Sequence, residues 1–428
     1  MINSIRGFND ILPPETAVWQ RIEKEAREIF ECYGFHEIKI PIVERTELFS
    51  RSIGETTDIV EKEMYTFLDR HGESITLRPE GTAPVVRAYI EHKLYVNDPV
   101  AKLYYLGPMF RYERPQKGRY RQFYQIGAEV FGVEDPRADA EALEMLMSFF
   151  QRLGLEGIRL EINSLGCKEC RPPYKEKLLD FLKSKKTYLC QDCQRRIEVN
   201  PLRALDCKSQ TCIEIASYAP SLLDSICDTC KSHLEKVKEY LTLSTISFRL
   251  NPKMVRGLDY YIRTTFEITT QGLGAQNTVA AGGRYDGLVK SIGGPDVPGF
   301  GFAIGTERLA LLLKDRGEGS GFREEPLAFM VILGEGAEKE AIGLMKRIRR
   351  QRIRLERDYG SKSIKSQMRR ADKLGAKIVL ILGDDELASH SITIKNMEKG
   401  EQERVSLDEI EERIEGLLTE RQKVMSKQ

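Results

Sequence analysis

Apolar residues along this chain recur with two periods, one helical and one of strand type. Over residues 15–33 they fall at Val18, Trp19, Ile22, Ala26, Ile29, Phe30 and Tyr33, which is one face of an amphipathic helix entered through Pro13-Pro14 and stopped by Gly34. The same spacing predicts helices over 85–95, led in by Thr82-Ala83-Pro84, and over 135–153, with Ala138, Ala142, Leu146, Phe149 and Phe150 facing inward. Between them lie β-prone runs. Residues 35–43 read as a strand broken by Pro41, which has no N–H for a ladder and so marks a sheet edge or a subunit contact. Residues 64–68 and 74–77 flank an Asp-Arg-His-Gly turn, and 103–112 and 120–130 flank Pro-Gln-Lys-Gly, which predicts antiparallel hairpins. Further strands are predicted at 158–162, 248–250 and 265–270, the last ended by Gly272 and Gly274. In 299–308 small and apolar residues alternate and lead into a helix at 309–314.

Residues 315–326, rich in Gly and charge, read as a linker. Beyond it come strands at 327–333, 353–357, 377–382 and 391–396, helices at 337–351 and 363–374, and a last helix from Leu407. That alternation predicts a separate three-layer α/β domain with a largely parallel sheet. Its basic run, residues 346–354, either touches RNA phosphates or is a solvated helix face.

Composition narrows the class. The 428 residues suggest two or three domains, and 41% hydrophobic with 31% charged residues describes an ordinary globular chain. A net charge of +1 gives no global nucleic-acid signature, so such contacts must come from local patches. No run of about 18 apolar residues and no signal-peptide core occurs, so a cytoplasmic protein without membrane contact is expected. Eight of the nine cysteines fall in one segment as Cys167-x-x-Cys170, Cys190-x-x-Cys193, Cys207-x4-Cys212 and Cys227-x-x-Cys230. This spacing suits tetrahedral zinc, and equally suits free thiols packed as small hydrophobes in a small helical insertion.

The hairpin carries the densest chemistry. Arg111, Arg114, Lys117, Arg119 and Arg121 alternate with Phe110, Tyr112, Phe123 and Tyr124. Guanidinium forks suit phosphate oxygens and ring faces suit a stacked base, the needs of a nucleoside triphosphate; a solvated basic hairpin is the plainer alternative. Strand alternation places Phe123, Gln125, Gly127 and Glu129 on one face. Glu80 stands at a strand end, where a carboxylate either meets a ligand ammonium or serves an ordinary turn. In Val279–Leu288 a glycine pair, Gly282 and Gly283, allows close approach to a ligand, with Arg284 and Tyr285 polar among small residues. Arg308 at a helix start opposes the helix dipole, which suits an intervening phosphate.

Three of these segments resemble the class II aminoacyl-tRNA synthetase motifs: the long helix and strand ending at Pro41, Phe110-Arg-Tyr-Glu113, and the Gly-rich strand ending in Glu307-Arg308. Arg256-Gly-Leu-Asp-Tyr-Tyr261 and Ala281-Gly-Gly-Arg-Tyr285 resemble the two signature peptides of the histidyl-tRNA synthetase family. The resemblance implies an α/β fold with an α+β catalytic core at 1–325, an antiparallel sheet flanked by helices. It further implies a helical insertion, here the Cys-rich segment 166–240 whose paired cysteines are not a general family requirement, and a C-terminal anticodon-binding domain at 326–428. It implies a homodimer that uses ATP with Mg²⁺, L-histidine and the tRNA for histidine. Arg111 and Arg256 are then the catalytic pair, with Arg111 on the α-phosphate and Arg256 between that phosphate and the amino acid carboxylate. Phe123 and Arg308 would sandwich adenine, and Arg119 would meet the outer phosphates, with Glu113 in the same ATP site. Glu80, Thr82 and Gln125 would hold the α-ammonium, Glu129 and Tyr261 the two imidazole nitrogens, and Gly81, Tyr260 and Tyr285 would complete the histidine site. The runner-up is a synthetase-like regulatory subunit of ATP phosphoribosyltransferase. Such chains typically lack the histidine peptides and the C-terminal domain, and both are present here. A non-catalytic RNA-binding or stress-sensing module is a third reading, against which intact Arg111, Arg256 and Arg308 stand.

Overall fold

The structure, a computed structural model, describes residues 2–54, 57–207, 209–273, 277–316, 328–360, 362–414 and 416–417. The chain forms two compact units, residues 1–319 and 320–428. Of the expected linker, residues 317–326 lie outside the described residues, as does Gly274.

The first unit is built on eight strands. In spatial order they are His36–Glu37, Ala101–Phe110, Gln122–Phe131, Gly299–Gly305, Thr278–Arg284, Ile262–Thr270, Ile158–Ser164 and Phe248–Leu250. The six central strands pair antiparallel and the two outermost strands join parallel. Helix Glu15–Cys32 buries Val18, Trp19, Ile22, Ala26 and Phe30. The Phe30 ring lies 5.6–6.4 Å from those of Phe35, Tyr104, Phe149 and Phe302, which ties two strands, helix Pro136–Arg152 and the residue after Gly34 to one ring. Helix Pro136–Arg152 starts where its pattern predicts. Asp135 caps it by accepting from Arg137 N at 2.8 Å, and proline occupies the first turn, where no N–H is required.

Several expected elements change shape. The strand over 35–43 divides at Pro41 into His36–Glu37, at the edge of the large sheet, and Val43–Arg45, at the edge of a three-stranded sheet with Ser74–Leu77 and Tyr65–Leu68. The helix over 85–95 runs instead from Thr82 to Glu91, and a separate turn, Leu94–Asn97, follows Lys93 at φ 50°. The motif hairpin forms between Ala101–Phe110 and Gln122–Phe131, so its loop is longer than the expected four-residue turn. The Gly282-Gly283 pair serves packing rather than a ligand. A Cβ on Gly282 would lie 2.2 Å from Gly301 O on the adjacent strand, and one on Gly283 2.5 Å from Thr264 O.

The insertion is helical, with helices Arg171–Ser184, Gln191–Val199, Gln210–Ser217 and Asp228–Leu243. Tyr174, Leu178, Leu182, Cys193, Ile197 and Cys212 are among its buried residues.

The second unit holds a five-stranded sheet in the order Leu355–Arg357, Ala328–Ile332, Ile378–Leu382, Ser391–Asn396, Gln402–Ser406. Only the first two pairings are parallel, so the sheet is mixed rather than largely parallel. Alternate residues of Ala328–Ile332 face opposite layers. Met330 packs with Leu344, Ile348, Ile410 and Ile414, and Phe329 with Ala371. Polar Gln402–Ser406 carries no apolar alternation and escaped prediction. The last helix begins at Ile410, not Leu407. In the basic run, Ile348 is buried, Arg347 pairs with Glu411 at 2.7 Å and Arg349 donates to Leu355 O at 2.8 Å, while Lys346, Arg350 and Arg352 are exposed.

Candidate active site

A cavity of about 420 Å³ is lined by residues from seven separate parts of the sequence. The register of the sheet accounts for part of this convergence. Gly301 stands opposite Glu129, Ala303 opposite Gly127 and Gly305 opposite Gln125, so on this face the second hairpin strand has a neighbour with almost no side chains. A Cβ on Gly301 would fall 1.7 Å from Glu129 Oε2, which makes that glycine the condition for the glutamate's placement.

Arg111, Arg256 and Arg308 all line the cavity. Arg111 leaves the end of the first hairpin strand, donates from Nε to Pro79 O at 2.8 Å and places its guanidinium 5.2 Å from the Phe123 ring centroid. Arg308, at the start of helix Thr306–Asp315, donates to Thr278 O, and the preceding Glu307 accepts from Tyr124 N at 2.8 Å. Arg256 pairs with Glu267 at 2.5 Å and lies 5.6 Å from the Tyr261 ring centroid. Arg119 pairs with Glu113, and both line the cavity with Phe123. Burial lowers the pKa of Arg111, opposed by Glu63 and Glu80, and lowers those of Arg119 and Arg308, where neighbouring arginines add to the effect. The cavity therefore brings four arginines together among carboxylates, with Arg119 and Arg256 already paired to Glu113 and Glu267.

Glu80, Thr82, Gln125, Tyr260 and Tyr261 also line it. Glu80 accepts from Thr82 N at 2.7 Å and Ala83 N at 2.8 Å at the head of helix Thr82–Glu91, which keeps its carboxylate fixed. Glu129 and Tyr285 stand behind the lining. Glu129 accepts from Thr82 Oγ1 at 2.7 Å and from Tyr285 OH at 2.6 Å, and burial pushes its pKa up to about 8 despite both donors. Burial likewise holds Tyr261 up at about 12. Gly81 makes room for another residue: a Cβ there, or on Gly127, would lie 2.2 Å from the Tyr105 ring. Four polar atoms in and around this cavity, Gln125 Oε1, Tyr260 OH, Arg256 Nε and Tyr105 OH, are buried without a hydrogen-bond partner among the described residues. Native folds rarely tolerate such groups unless a ligand or water meets them.

Sequence reasoning missed Tyr105 and Glu267. The first sits in an unremarkable Tyr104-Tyr105 pair, whereas a glutamate among apolar and Thr positions in Ile262–Thr270 was a legible signal. It also missed the fate of Arg284, which is buried and paired with Asp139 and, at 3.1 Å, Asp286; Asp139 in turn meets His233 at 2.8 Å.

The eight cysteines form two groups that spacing does not reveal, Cys167, Cys170, Cys227 and Cys230, and Cys190, Cys193, Cys207 and Cys212. Within each, all sulfurs lie within 4.8 Å of one another.

The family model described as Histidyl-tRNA synthetase matches residues 7–309, and that of an Anticodon binding domain matches residues 328–417. The chain is 58% identical over 407 residues to a histidine–tRNA ligase of Geobacter sulfurreducens, covering 95% of this chain and 98% of that protein. It is 56% identical to one of Syntrophotalea carbinolica, covering 96% and 97%. The crystal structure of apo S. aureus histidyl-tRNA synthetase superposes with a TM-score of 0.82 at 40% identity, over 96% of this chain and 99% of that one.

Proposed function

The chain belongs to the histidyl-tRNA synthetase family, and from that premise we propose that its cavity activates L-histidine with ATP. Pyrophosphate leaves, and histidine then passes to the 3′ end of its tRNA. The observation that carries this reading is the meeting of Arg111, Arg256 and Arg308 around one cavity with Glu80, Gln125, Tyr260 and Tyr261.

The chemistry requires such a site. Attack of a carboxylate on the α-phosphorus brings two anions together, and charge builds on the phosphate oxygens as pyrophosphate departs. Arg111 is held by Pro79 O and Phe123, and Arg256 by Glu267, so both are aimed before substrate arrives. No general base is needed, since the attacking carboxylate is already ionised at neutral pH. Phe123 and Arg308 take adenine between them, Arg119 meets the outer phosphates, and Glu113 lies in the same ATP site. Family membership implies Mg²⁺ with the ATP. Glu113 and Glu267 are already paired with arginines, so phosphate oxygens and water would supply most of its ligands.

Glu80, Thr82 and Gln125 take the α-ammonium, with Gly81, Tyr260 and Tyr285 shaping the pocket, and Glu129 and Tyr261 take the two imidazole nitrogens. Each Glu129 oxygen accepts one bond within the fold and keeps a lone pair for the ligand. An apolar amino acid would leave these buried groups unpaired, a mismatch that discriminates by about 10⁴ to 10⁵. The second unit, which matches the anticodon-binding family, holds the tRNA. Among the described residues no helix is long and apolar enough to cross a membrane. Homodimerisation and a cytoplasmic location complete the proposal. Identity to ligases along nearly the whole chain favours this reading over the regulatory subunit.

Exchange of labelled pyrophosphate into ATP tests it. Exchange that requires histidine is expected; absence of exchange with purified protein, or equal exchange with other amino acids, would remove the proposal.

A further inference from the structure

The two cysteine groups differ in what they join. Cys190, Cys193, Cys207 and Cys212 lie wholly within the insertion. The other group unites its entrance and exit: Cys167 and Cys170 follow directly on strand Ile158–Ser164, while Cys227 and Cys230 open helix Asp228–Leu243. In that group Cys167 Sγ lies 3.5 Å from Cys170 Sγ and 3.9 Å from Cys227 Sγ, and Cys170 Sγ lies 3.9 Å from Cys230 Sγ. A zinc–thiolate bond of about 2.3 Å gives a tetrahedron with edges of about 3.8 Å, so these spacings fit one ion at the centre. Disulfides, at about 2.05 Å, do not fit them.

The surroundings are built for thiolates. Cys227 N donates to Cys170 Sγ at 3.0 Å across 57 residues of sequence, and in the other group Cys190 N donates to Cys212 Sγ at 3.3 Å and Ser209 N to Cys207 Sγ at 3.4 Å. Backbone donors to sulfur fix ligand orientation and stabilise its negative charge. Gly166, at φ +64°, makes the turn; a Cβ there would lie 2.8 Å from Cys170 Cβ.

From the first group a short path leads to the amino acid pocket. Arg171, directly after Cys170, donates to Leu165 O at 3.2 Å and also to Tyr261 O, while Arg263 N donates to Gly166 O at 2.8 Å. Tyr261 is the pocket wall. We propose that each cysteine group holds one zinc ion, and that the ion at Cys167, Cys170, Cys227 and Cys230 is a staple closing the neck of the insertion. The staple sets Arg171, which as a positioning residue sets Tyr261 for histidine. Metal at the neck thus governs affinity for the amino acid rather than for ATP. The coupling rests on the histidine reading above, whereas the two ion sites stand apart from it.

The test uses the full-length protein purified without added metal. Elemental analysis is expected to give two zinc ions per chain, and cobalt exchange the absorption of a tetrahedral tetrathiolate. Less than one ion per chain, with all nine thiols titrating freely after denaturation, would overturn the sites. The double variant Cys167→Ser/Cys230→Ser is expected to lose one ion and to raise the histidine KM by about tenfold or more while the ATP KM stays near the parent value. Arg171→Lys keeps every cysteine, so it answers the same question should the double variant fail to fold. It is expected to retain both ions and still raise the histidine KM selectively. An unchanged histidine KM in Arg171→Lys, or an equal rise for ATP, would overturn the coupling. Were the parent protein to show no histidine-dependent exchange, the functional reading would fall while the ion count still decided the sites.

Discussion

Two arginines leave the same large sheet and are treated in opposite ways. Arg284 is fully buried, and although burial works against its charge, Asp139 and Asp286 hold its pKa above the ordinary arginine value. Its guanidinium is answered within the fold, down to Val133 O at 2.9 Å. Arg111 is also largely enclosed, but burial prevails and lowers its pKa, and its side chain opens on the cavity. The difference separates a charge that holds the protein together from one that waits for a ligand. Neighbouring groups follow the same division: Asp139 and His233 are paired, whereas Gln125 Oε1 and Tyr260 OH have no partner among the described residues.

Four predictions test that division, beginning with the largest effect. Arg111→Ala lowers histidine-dependent pyrophosphate exchange about 10²- to 10³-fold, or about 3 to 4 kcal/mol, measured at saturating substrates. Arg284→Met leaves Asp139 buried with only His233 and costs about 3 to 5 kcal/mol of stability in urea unfolding; Asp139→Asn in the same chain recovers part of it.

The third concerns pH. Glu129 and Glu307 have pKa values raised by burial to about 8, so between the unfolded value near 4.5 and pH 8 the folded protein binds more protons than the unfolded chain. The stability they contribute is complete below pH 4.5 and declines as pH rises through 8. Glu129→Gln reduces that slope by about 1.4 kcal/mol per pH unit at most and raises the histidine KM far more than the ATP KM; an unchanged slope would contradict the burial argument. The smallest effect belongs to Tyr260→Phe. Removing a hydroxyl that the fold leaves unpaired changes stability by less than about 0.5 kcal/mol and weakens histidine binding by about 1 kcal/mol, read by calorimetry.

Much of this arrangement was legible in sequence because it rests on local rules. The hairpin declared itself through alternating rings and guanidinium groups, and the helix Pro136–Arg152 through its period. Even the edge position of His36–Glu37 followed from the missing N–H of Pro41. What could not be read depends on distant partners. Nothing near Arg284 announces Asp139, 145 residues earlier, although a lone aspartate among Ala138, Ala140 and Ala142 on a buried helix face was a clue. Cysteine spacing gave four pairs but not that the first joins the last. Strand Gln402–Ser406 is held by pairing with Ser391–Asn396 and shows no hydrophobic period of its own. The unpaired Tyr105 OH depends on Gly81 and Gly127 making room on two different elements.

The most direct test sets the two arginines side by side, with histidine-dependent exchange measured per folded molecule in Arg111→Ala and Arg284→Met. Arg111→Ala should unfold at nearly the parental urea concentration yet lose exchange, and Arg284→Met should unfold much earlier yet keep most of its exchange. Loss of exchange and stability together in both variants would contradict the division of the site from the scaffold.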